Sequence, residues 1–386
     1  MKVEIFTDSY LPGIGGTEKA VVGICNGLIQ NGHQVAVACP KYKTLPPDLG
    51  YPVFRSKSLH LFGQNYAALS SFSSKFKKQI KDFNPDIIHC NTVNDMLTRS
   101  LKLSKKLHIP VVATVHTKYK ECYLHDSKSK IITYFLLKSM VRKLNKVDII
   151  TTVSNDMKNE LIKYGVKNKI IIIKNGCDYL KNENIDESII LAKEHFKFEN
   201  NPFIFLFVGR LEKIKNINFS LDMLAELKKE YSNFKFIIVG DGADKKHFVD
   251  KVATLGLSDN VIFSGVVKDK KILNSIYAMS NLLLFPSTFD SDGLVVLEAA
   301  SNKTPAIAIK GTGPSERITP DFNGFICENN LQSYLEKVKQ IINNKDLLNL
   351  VSTNAYNTML KTWDKVVPEY VAIYKKLLNK YKNNNK

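Results

Sequence analysis

The residues most able to do chemistry lie in the stretch FPSTFDSDGLVVLEAAS, residues 285–301. It places Asp290 and Glu298 on either side of Gly293 and of the start of an apolar, helix-like segment. A glycine lets the backbone approach a ligand closely, and carboxylates accept hydrogen bonds from hydroxyl groups. We therefore predict that Asp290 binds the hydroxyls of a sugar and that Glu298 accepts hydrogen bonds from a ribose. The alternative is a helix that merely follows an acidic loop.

A phosphate site is indicated by four further positions. Leu294 and Val295 open the predicted helix, where backbone amides without helical partners favour an anion. Arg210 and Lys215, within VGRLEKIKN, follow another strand-like run. Arginine binds phosphate oxygens in pairs and lysine adds a compact charge, so we predict that both side chains converge on one diphosphate.

A glycine-rich loop, LPGIGGTEKA at 11–20, follows the first strand-like run. The dinucleotide fingerprint GxGxxG fails here, because Glu18 stands where its third glycine is required. The P-loop pattern GxxxxGK[ST] does not occur in the sequence. Two interpretations stay open: a plain turn between strand and helix, or a loop in which Gly15 and Gly16 bring backbone amides to an anionic ligand.

Two series of strand-like and helical segments must position these residues. Short runs rich in Val and Ile, such as VEIFTD, PVVATVH and KIIIIKNG, alternate with helical patterns up to residue 178. Residues 179–200 are mostly polar, and a second series begins with FIFLFVGR. Continuous apolar strands separated by helices indicate parallel sheets covered on both faces. The sequence therefore predicts an α/β protein with two doubly wound, Rossmann-like domains facing each other across a cleft, and ligands beyond the carboxyl ends of the strands.

Composition and charge narrow the class of protein. The chain has 386 residues, of which 44% are hydrophobic and 24% charged, as in ordinary globular proteins. Its six cysteines form no CxxC pair, and no signal peptide or membrane-spanning apolar run is recognisable. We therefore expect a cytoplasmic protein with reduced thiols. The net charge is +18, of which residues 1–178 carry +14 and the remainder +4, so the two halves are expected to have different partners.

In their types and order, the motifs resemble those of the retaining glycosyltransferases of family 4. The resemblance covers nearly the whole chain and depends on seven motifs: GGTE at 15–18, VHT at 115–117, TVS at 152–154, NGCD at 175–178, VGRLEKIKN at 208–216, VGDG at 239–242 and FDSDGLVVLEAAS at 289–301. It implies the GT-B fold. The implied organisation is an acceptor-side domain over 1–178, a linker over 179–200, a nucleotide-sugar domain over 201–362 and a final helix, 363–386, packed back on the first domain.

The resemblance also implies roles for single residues. It implies that Arg210 and Lys215 bind the diphosphate and that Glu298 binds the ribose. It adds Gly16, whose amide would contact the phosphate or the sugar. His116 matches the family histidine near the transferred sugar, and the backbone around Val266 and Val267 would hold the base. One position departs from the family pattern, because Asp290 stands where glutamate is usual. The charge is kept, but the shorter side chain weakens any inference about the donor sugar.

The resemblance implies transfer with retention from a nucleotide-diphosphate hexose, with UDP as the expected nucleotide. The acceptor would attack from the side of the leaving group, and a phosphate oxygen would take its proton. No metal and no cofactor is expected, because Arg210 and Lys215 would stabilise the departing diphosphate. DSD at 290–292 matches a metal-binding DxD motif of another transferase class, but a three-residue match is weak and the two-domain layout argues against it.

The basic first half suggests the acceptor. Residues 67–82 are expected to form a helix with an apolar face flanked by cations, and the segment 137–146 adds more cations. The apolar and basic residues of the helix are Leu69, Phe72, Phe76 and Ile80 with Lys75, Lys77, Lys78 and Lys81. Such a helix binds an anionic membrane surface, although packing against the sheet is the plainer alternative for this segment. We expect a peripheral protein on the inner face of the cell membrane, a lipid or lipid-linked acceptor, and a glycolipid product.

Several other functions stay open. The acceptor of a family member can be soluble or a growing polysaccharide, and a sugar-nucleotide epimerase of the same fold needs no acceptor. A non-catalytic nucleotide-sugar-binding protein is disfavoured because Arg210, Lys215 and Glu298 are all present. Nucleic-acid binding fits the charge. However, the sequence lacks the interleaved aromatic and basic residues of base-stacking proteins, so we expect no nucleic-acid partner.

Overall fold

The computed structural model describes residues 1–13, 15–42, 49–62, 66–71, 73–177 and 181–384. The chain divides into two compact units: Met1–Asp178 with Lys361–Lys386, and Tyr179–Leu360. The chain therefore leaves the first unit, builds the second and returns to the first.

The first unit contains an eight-stranded sheet with the order β4-β3-β2-β1-β5-β6-β7-β8. Its strands are β1 (Lys2–Phe6), β2 (Gln34–Pro40), β3 (Val53–Phe62), β4 (Tyr66–Ser71), β5 (Ile87–Cys90), β6 (Val111–Val115), β7 (Ile149–Thr152) and β8 (Ile170–Ile172). The pair β3–β4 is antiparallel, and the other neighbouring strands pair in parallel. Most of this sheet is thus the buried parallel kind that continuous apolar strands predict.

Helices cover both faces of this sheet. Those before residue 178 are α1 (Gly16–Gln30), α2 (Ser74–Phe83), α3 (Asp95–Leu107), α4 (Tyr119–Ser127), α5 (Lys130–Leu144) and α6 (Asn155–Lys163). Three of them begin after a serine, Ser73, Ser129 or Ser154, whose side chain accepts a hydrogen bond from the first turn. The serine of the TVS motif is therefore a helix cap.

The second unit contains a six-stranded sheet with the order β11-β10-β9-β12-β13-β14. Its strands are β9 (Phe203–Val208), β10 (Phe234–Val239), β11 (Val261–Gly265), β12 (Leu282–Phe285), β13 (Ala306–Ile309) and β14 (Phe325–Cys327). Its helices are α7 (Ile185–Phe196), α8 (Ile217–Lys228), α9 (Lys245–Thr254), α10 (Lys270–Met279), α11 (Leu294–Ser301), α12 (Leu331–Asn343) and α13 (Lys345–Thr358), with 3-10 turns at Lys213–Lys215 and Pro314–Arg317. Its described strand pairs are all parallel.

Both sheets are doubly wound, which confirms the predicted fold class. In the first sheet the chain moves outward from β1 to β3, then restarts beside β1 with β5 and continues to β8. In the second sheet the same reversal occurs between β9 and β12. Ligands of such sheets bind beyond the carboxyl ends of the strands at the reversal point. The segments after β1, β5, β9 and β12 are therefore where a site is expected.

The last helix, α14 (Trp363–Asn384), packs against α1 within the first unit. Glycines make this close approach possible. A Cβ added to Gly23 of α1 would overlap the Trp363 indole, and one added to Gly27 would overlap Val367. Gly176, from the NGCD motif, faces the same indole, since a Cβ there would lie 2.8 Å from it. Trp363 is thus buried against two glycine-bearing segments of backbone, helix α1 and the segment that contains Gly176.

The region between β2 and β5 differs from the sequence-based expectation. Residues 66–71 form strand β4 rather than the first half of the predicted helix 67–82, and the helix begins only at Ser74. Phe72 lies outside the described residues. The physical reason is the cap: the Ser73 hydroxyl accepts a hydrogen bond from the Phe76 amide at 3.3 Å, which fixes the helix start. The sequence reading also missed β3 and the three-residue strand β14.

A buried carboxyl group lies in the centre of β1. Glu4 is fully buried, and neither of its oxygens has a hydrogen-bond partner among the described residues. Its neighbours in the adjacent strands are Ala36 and Ile88. Burial raises the pKa of the Glu4 carboxyl well above its ordinary value, because the apolar surroundings disfavour the charged form. The folded protein therefore favours the neutral acid at this position.

Replacing Glu4 by methionine is expected to stabilise the first unit at about pH 8, by about 1–3 kcal/mol, because a buried polar group without a partner is removed. The pKa of Glu4 is higher in the folded than in the unfolded state, so its burial becomes more unfavourable as the pH rises. The gain should therefore shrink as the pH falls to about 5. Urea unfolding followed by the fluorescence of Trp363, the only tryptophan, measures this. The exposed Glu194, replaced in the same way, is the control, and an equal gain at both pH values would contradict the prediction.

Candidate functional site

In the second unit, Lys215 and Asp290 form an ion pair after two adjacent strands. Lys215 ends the 3-10 turn that follows β9, and Asp290 lies in the segment after β12. The Lys215 Nζ and the Asp290 Oδ1 are 2.6 Å apart. The same Nζ lies 5.5 Å from the centre of the Phe289 ring, which adds a cation–π contact. Two residues that the sequence singled out separately are thus in direct contact.

The surroundings hold Asp290 in its charged form. Burial by itself would raise the pKa of its carboxyl, but the attraction and hydrogen bond of Lys215 outweigh this and leave the pKa below its ordinary value. The other oxygen, Oδ2, is buried and has no hydrogen-bond partner in the part of the chain that the structure describes. Asp290 therefore has one oxygen bound to Lys215 and one that is able to accept a hydrogen bond from a ligand.

Gly293 turns the chain into α11. It has a φ of 70°, which favours glycine, and a Cβ at this position would lie 2.9 Å from Pro314. Within the described residues, the amides of Leu294 and Val295 have no hydrogen-bond acceptor. They form the positive end of the helix, where an anion is favoured. The start of α11 thus has two backbone donors that are available to an anionic ligand.

Arg210 follows β9 on the same edge of the sheet. Its guanidinium is exposed, and its Nη1 lies 2.7 Å from the Glu212 Oε1. Its positive charge also contributes to the lowered pKa of Asp290. Arg210 is therefore electrostatically coupled to the Lys215–Asp290 pair, although its own hydrogen bond is to a different carboxylate.

The glycines of the VGDG motif support the loop that carries Arg210. A Cβ on Gly240 would overlap the carbonyl of Gly209, and a Cβ on Gly242 would lie 2.5 Å from the carbonyl oxygen of Leu211. The Leu211 amide also donates to the Asp241 carbonyl at 3.0 Å. This motif has a structural role, because it lets two loops pack backbone to backbone.

Glu298 lies inside α11 and is 3% exposed. Its Oε2 accepts a hydrogen bond from the Tyr277 hydroxyl of α10 at 3.0 Å. Sequence reasoning did not identify Tyr277, because nothing in its neighbourhood marks it as a partner of a residue 21 positions away. The tyrosine fixes the position of the carboxylate that the sequence assigned to a ribose.

The second aspartate of DSD is also paired. The Asp292 Oδ1 lies 2.6 Å from the Nη2 and 2.7 Å from the Nε of Arg317, and both side chains are almost fully buried. Arg317 belongs to the 3-10 turn Pro314–Arg317 and was not identified from the sequence. The carboxylates of Asp290 and Asp292 therefore face two different cations.

Val266 and Val267 follow β11, which ends at Gly265 with a φ of 72°. Val266 is exposed, with 52% of its surface accessible. Neither valine amide has an acceptor among the described residues. This backbone is able to hydrogen-bond a ligand, but the structure does not place it in contact with the Lys215–Asp290 pair.

In the first unit, the glycine loop connects β1 to α1. Gly15 is the cap of α1, and the amides of Gly16 and Thr17 have no acceptor in the described part of the chain. Glu18 folds back under the loop, where its carboxylate accepts a hydrogen bond from Ser9 and fills the space in which a Gly15 side chain would lie. A Cβ on Gly16 would meet nothing within 4 Å. Packing within this chain therefore does not require a glycine at position 16.

His116 follows β6 and lies beside the residue that follows β5. Its Nε2 is 3.0 Å from the Asn91 Oδ1. Burial lowers the pKa of His116 to about 4, so the imidazole is neutral at physiological pH. Because an amide oxygen only accepts, the neutral ring must carry its proton on Nε2. Two positions further on, Lys118 forms a buried ion pair with Asp156 at 2.7 Å.

Helix α2 does not present the apolar face that the sequence suggested for a membrane. Phe76 and Ile80 are 1% and 2% exposed and belong to the core of the first unit. The packing alternative therefore applies to this segment, while nothing is described of the Leu69 side chain. Across the described residues, no helix is both long enough and apolar enough to span a membrane.

Two family models match the chain. The model described as "Glycosyl transferases group 1" matches residues 190–358, and the model described as "Glycosyltransferase Family 4" matches residues 14–179. The first range includes every candidate residue of the second unit. The second range includes Gly15, Gly16 and His116.

Relatives and solved structures match over most of the chain. Alpha-monoglucosyldiacylglycerol synthase from Acholeplasma laidlawii is 27% identical over 375 residues, with 92% of each chain covered. The protein of the same name from Streptococcus pneumoniae is 26% identical over 314 residues, which cover 80% of this chain and 71% of that one. The crystal structure of HepE from Anabaena in complex with UDP matches with a TM-score of 0.78 and 20% identity, covering 98% of this chain and 100% of HepE. At this identity the structural match shows the fold.

Proposed function

Because the chain belongs to the group 1 glycosyl transferases of family 4, we propose that it transfers a hexose from a UDP-linked donor to a membrane lipid, with retention at the anomeric carbon. The observation that carries the proposal is the Lys215–Asp290 pair, which lies on the same edge of the second sheet as Arg210 and the start of α11.

The diphosphate is proposed to bind Arg210, Lys215 and the amides of Leu294 and Val295. Breaking the bond between the sugar and the phosphate leaves negative charge on the departing diphosphate. Fixed cations and amides stabilise that charge most in the transition state, which is electrostatic catalysis. Lys215 has three hydrogens, so it can donate to phosphate while it keeps its bond to Asp290. No metal is included in the proposal, since these groups supply the positive charge.

The transferred sugar is proposed to bind Asp290. Its Oδ2 is the acceptor for a sugar hydroxyl, and Lys215 holds the carboxylate in place through Oδ1. This arrangement supports the assignment because the same lysine would then contact both the leaving group and the residue that orients the sugar. The ribose is assigned to Glu298, which Tyr277 positions, and the base to the backbone at Val266 and Val267.

Two residues of the first unit, Gly16 and His116, are assigned from the family resemblance. The Gly16 amide is assigned to the phosphate or the sugar of the donor, and it has no acceptor among the described residues. His116 is proposed to hydrogen-bond the transferred sugar as a neutral imidazole. Its low pKa means that it would not act as a cation at physiological pH.

Retention is supported by the names of the two relatives, which specify an α-linked glucose. UDP-glucose also carries an α bond, so an α product means retained configuration. We assign the proton transfer to the donor itself: the acceptor oxygen bonds to the anomeric carbon, the bond to phosphate breaks, and a departing phosphate oxygen takes the acceptor's proton.

The lipid acceptor is supported by the diacylglycerol in the names of the same two relatives. It would require the protein to work at a membrane surface, which we assign to the inner face of the cell membrane.

The test is incorporation of labelled sugar into lipid. The purified protein is incubated with labelled UDP-glucose, UDP-galactose or GDP-mannose and with vesicles that contain diacylglycerol, and label is followed into the organic phase. We expect label from one UDP-hexose, and an α linkage in the isolated product by NMR. A β linkage would contradict retention, and transfer from GDP-mannose alone would contradict the UDP assignment.

Two other outcomes would redirect the proposal. Label that appears only in water-soluble glycosides would contradict the lipid acceptor but keep the transferase. Release of free sugar or of an epimer, without any acceptor product, would point to the epimerase alternative.

A further inference from the structure

Helix α5 exposes a cluster of large apolar side chains. Ile131 is 71%, Phe135 62% and Tyr134 57% exposed, and Ile132 and Leu136 also face solvent. We call these five residues the α5 patch. The other exposed large apolar residues of the described chain are well separated along the sequence. A contiguous apolar patch on a water-facing surface indicates an interaction site.

The opposite side of α5 packs against the first unit. Thr133, Met140 and Leu144 are buried, and Met140 and Leu144 belong to the core beneath the sheet. The helix is therefore fixed to the first unit by one face. The α5 patch is not a surface that a small rotation of the helix would bury.

The charged residues of helix α5 are all basic, and the nearest acidic residue before it in the chain is the exposed Asp126 of α4. Helix α5 contains no Asp or Glu. Exposed Lys128 and Lys130 precede the patch, and exposed Lys138 and Arg142 follow it. Ile131, Phe135, Lys138 and Arg142 are spaced by four, three and four residues, so they lie along one line of the helix surface. The outer face is apolar in its first half and basic in its second.

We infer that the α5 patch docks on an anionic phospholipid bilayer. Apolar and aromatic side chains that enter the interface, ringed by Lys and Arg at the level of the phosphates, are what such a surface binds. A second copy of this chain is a poor partner, because pairing two such patches would bring like charges together. The inference deepens the lipid-acceptor proposal and rests on it for the acceptor class.

The position of α5 connects the docking surface to the candidate site of the first unit. The Lys143 Nζ donates to the Asn94 carbonyl at 2.9 Å, and the Tyr123 hydroxyl donates to the Asn94 Oδ1 at 2.6 Å. Asn94 lies in the loop after β5, three residues from Asn91, which contacts His116. Helices α4 and α5 are thus anchored to the carboxyl edge of the first sheet, close in the chain to the residue that contacts His116.

The direct test is co-sedimentation with vesicles of phosphatidylcholine that contain phosphatidylglycerol. We expect the unchanged protein to bind these and to bind pure phosphatidylcholine much more weakly. Ile131→Ser with Phe135→Ser should lower the partition coefficient by about tenfold for each residue that no longer enters the bilayer. Lys138→Glu with Arg142→Glu should also lower it, and more strongly at low salt.

Matched controls distinguish binding through the α5 patch from nonspecific binding by exposed apolar residues and from binding through helix α2. Ile190→Ser with Leu350→Ser removes two exposed apolar residues of the second unit and should leave binding unchanged. Lys75→Glu with Lys78→Glu reverses two exposed cations of α2 and should reduce binding less than the α5 charge reversal. Equal loss in both charge reversals would overturn the assignment to α5. So would normal vesicle binding of the Ile131/Phe135 variant.

Insertion is measured independently with Phe135→Trp. Its emission should shift to the blue on addition of anionic vesicles, whereas Leu350→Trp should not respond.

Transfer to a short-chain, water-soluble diacylglycerol should be unaffected in the Ile131/Phe135 variant, while transfer to diacylglycerol in vesicles should fall. If no lipid is glycosylated at all, the proposed function fails, but the vesicle measurements still decide the docking surface. Loss of a dimer in the variant, without loss of vesicle binding, would overturn the inference in favour of self-association.

Discussion

Replacing Lys215 by methionine is expected to lower kcat by about 100- to 1,000-fold, the effect of removing one preorganised charge from a developing anion. The decrease in kcat has two causes: the departing diphosphate loses a cation, and Asp290 loses the partner that orients it. Initial rates with saturating donor measure the change in kcat. Lys213→Met, which removes an exposed lysine from the same 3-10 turn, is the matched control and should keep its turnover.

A double variant separates catalysis from stability. Lys215→Met alone leaves the Asp290 carboxylate without its ion-pair partner, which is destabilising at a mostly buried site. Adding Asp290→Asn removes the uncompensated charge, so the melting temperature should recover while kcat stays low. Near-normal turnover of folded Lys215→Met would contradict the assignment of this lysine to the diphosphate.

Replacing Gly23 by alanine is expected to destabilise the first unit by about 1–3 kcal/mol or more, because overpacking forces a tightly packed group to move. The added methyl would overlap the Trp363 indole, which is itself held between α1 and Gly176. Since Trp363 is the only tryptophan, urea unfolding followed by its fluorescence reports on this contact directly. A red-shifted native emission is expected together with the lower midpoint.

The control for this prediction lies on the same helix. Gly16→Ala adds the same methyl group to α1 where nothing lies within 4 Å, so stability should be unchanged or slightly higher. Its turnover should fall, if the proposed donor occupies that space. Pairing Gly23→Ala with Trp363→Leu should recover part of the lost stability. No recovery would contradict the steric explanation.

The parallel core of both sheets was predictable because its strands are continuous apolar runs with β-branched residues. Strands β3 and β4 were not, because they form the antiparallel edge of the first sheet, and VFRSKSLHLF and YAALSS mix polar and apolar residues. Helix α5 posed the opposite difficulty. Its first half, KIITYFLL, is apolar nearly all round, so the sequence does not say which side is buried.

The candidate residues could be chosen one by one from the sequence, but the contacts among them could not. Residue type and place after a strand identified Lys215 and Asp290, yet their pairing spans 75 positions and depends on which strands are neighbours. Tyr277 and Arg317 were missed because each acts through a carboxylate that only the fold brings near. Gly23 was missed for the same reason, since a glycine inside a helix has meaning only once Trp363 lies against it.

The return of α14 to the first unit has a consequence for biosynthesis. The ribosome must translate the whole of the second unit, Tyr179–Leu360, before it reaches Trp363. At about 5–20 residues per second, the nascent first unit waits about 10–40 s with the glycine surface of α1 uncovered. The second unit, whose segments are continuous in the chain, is able to fold earlier. The half of the protein that is made first is therefore the half that is finished last.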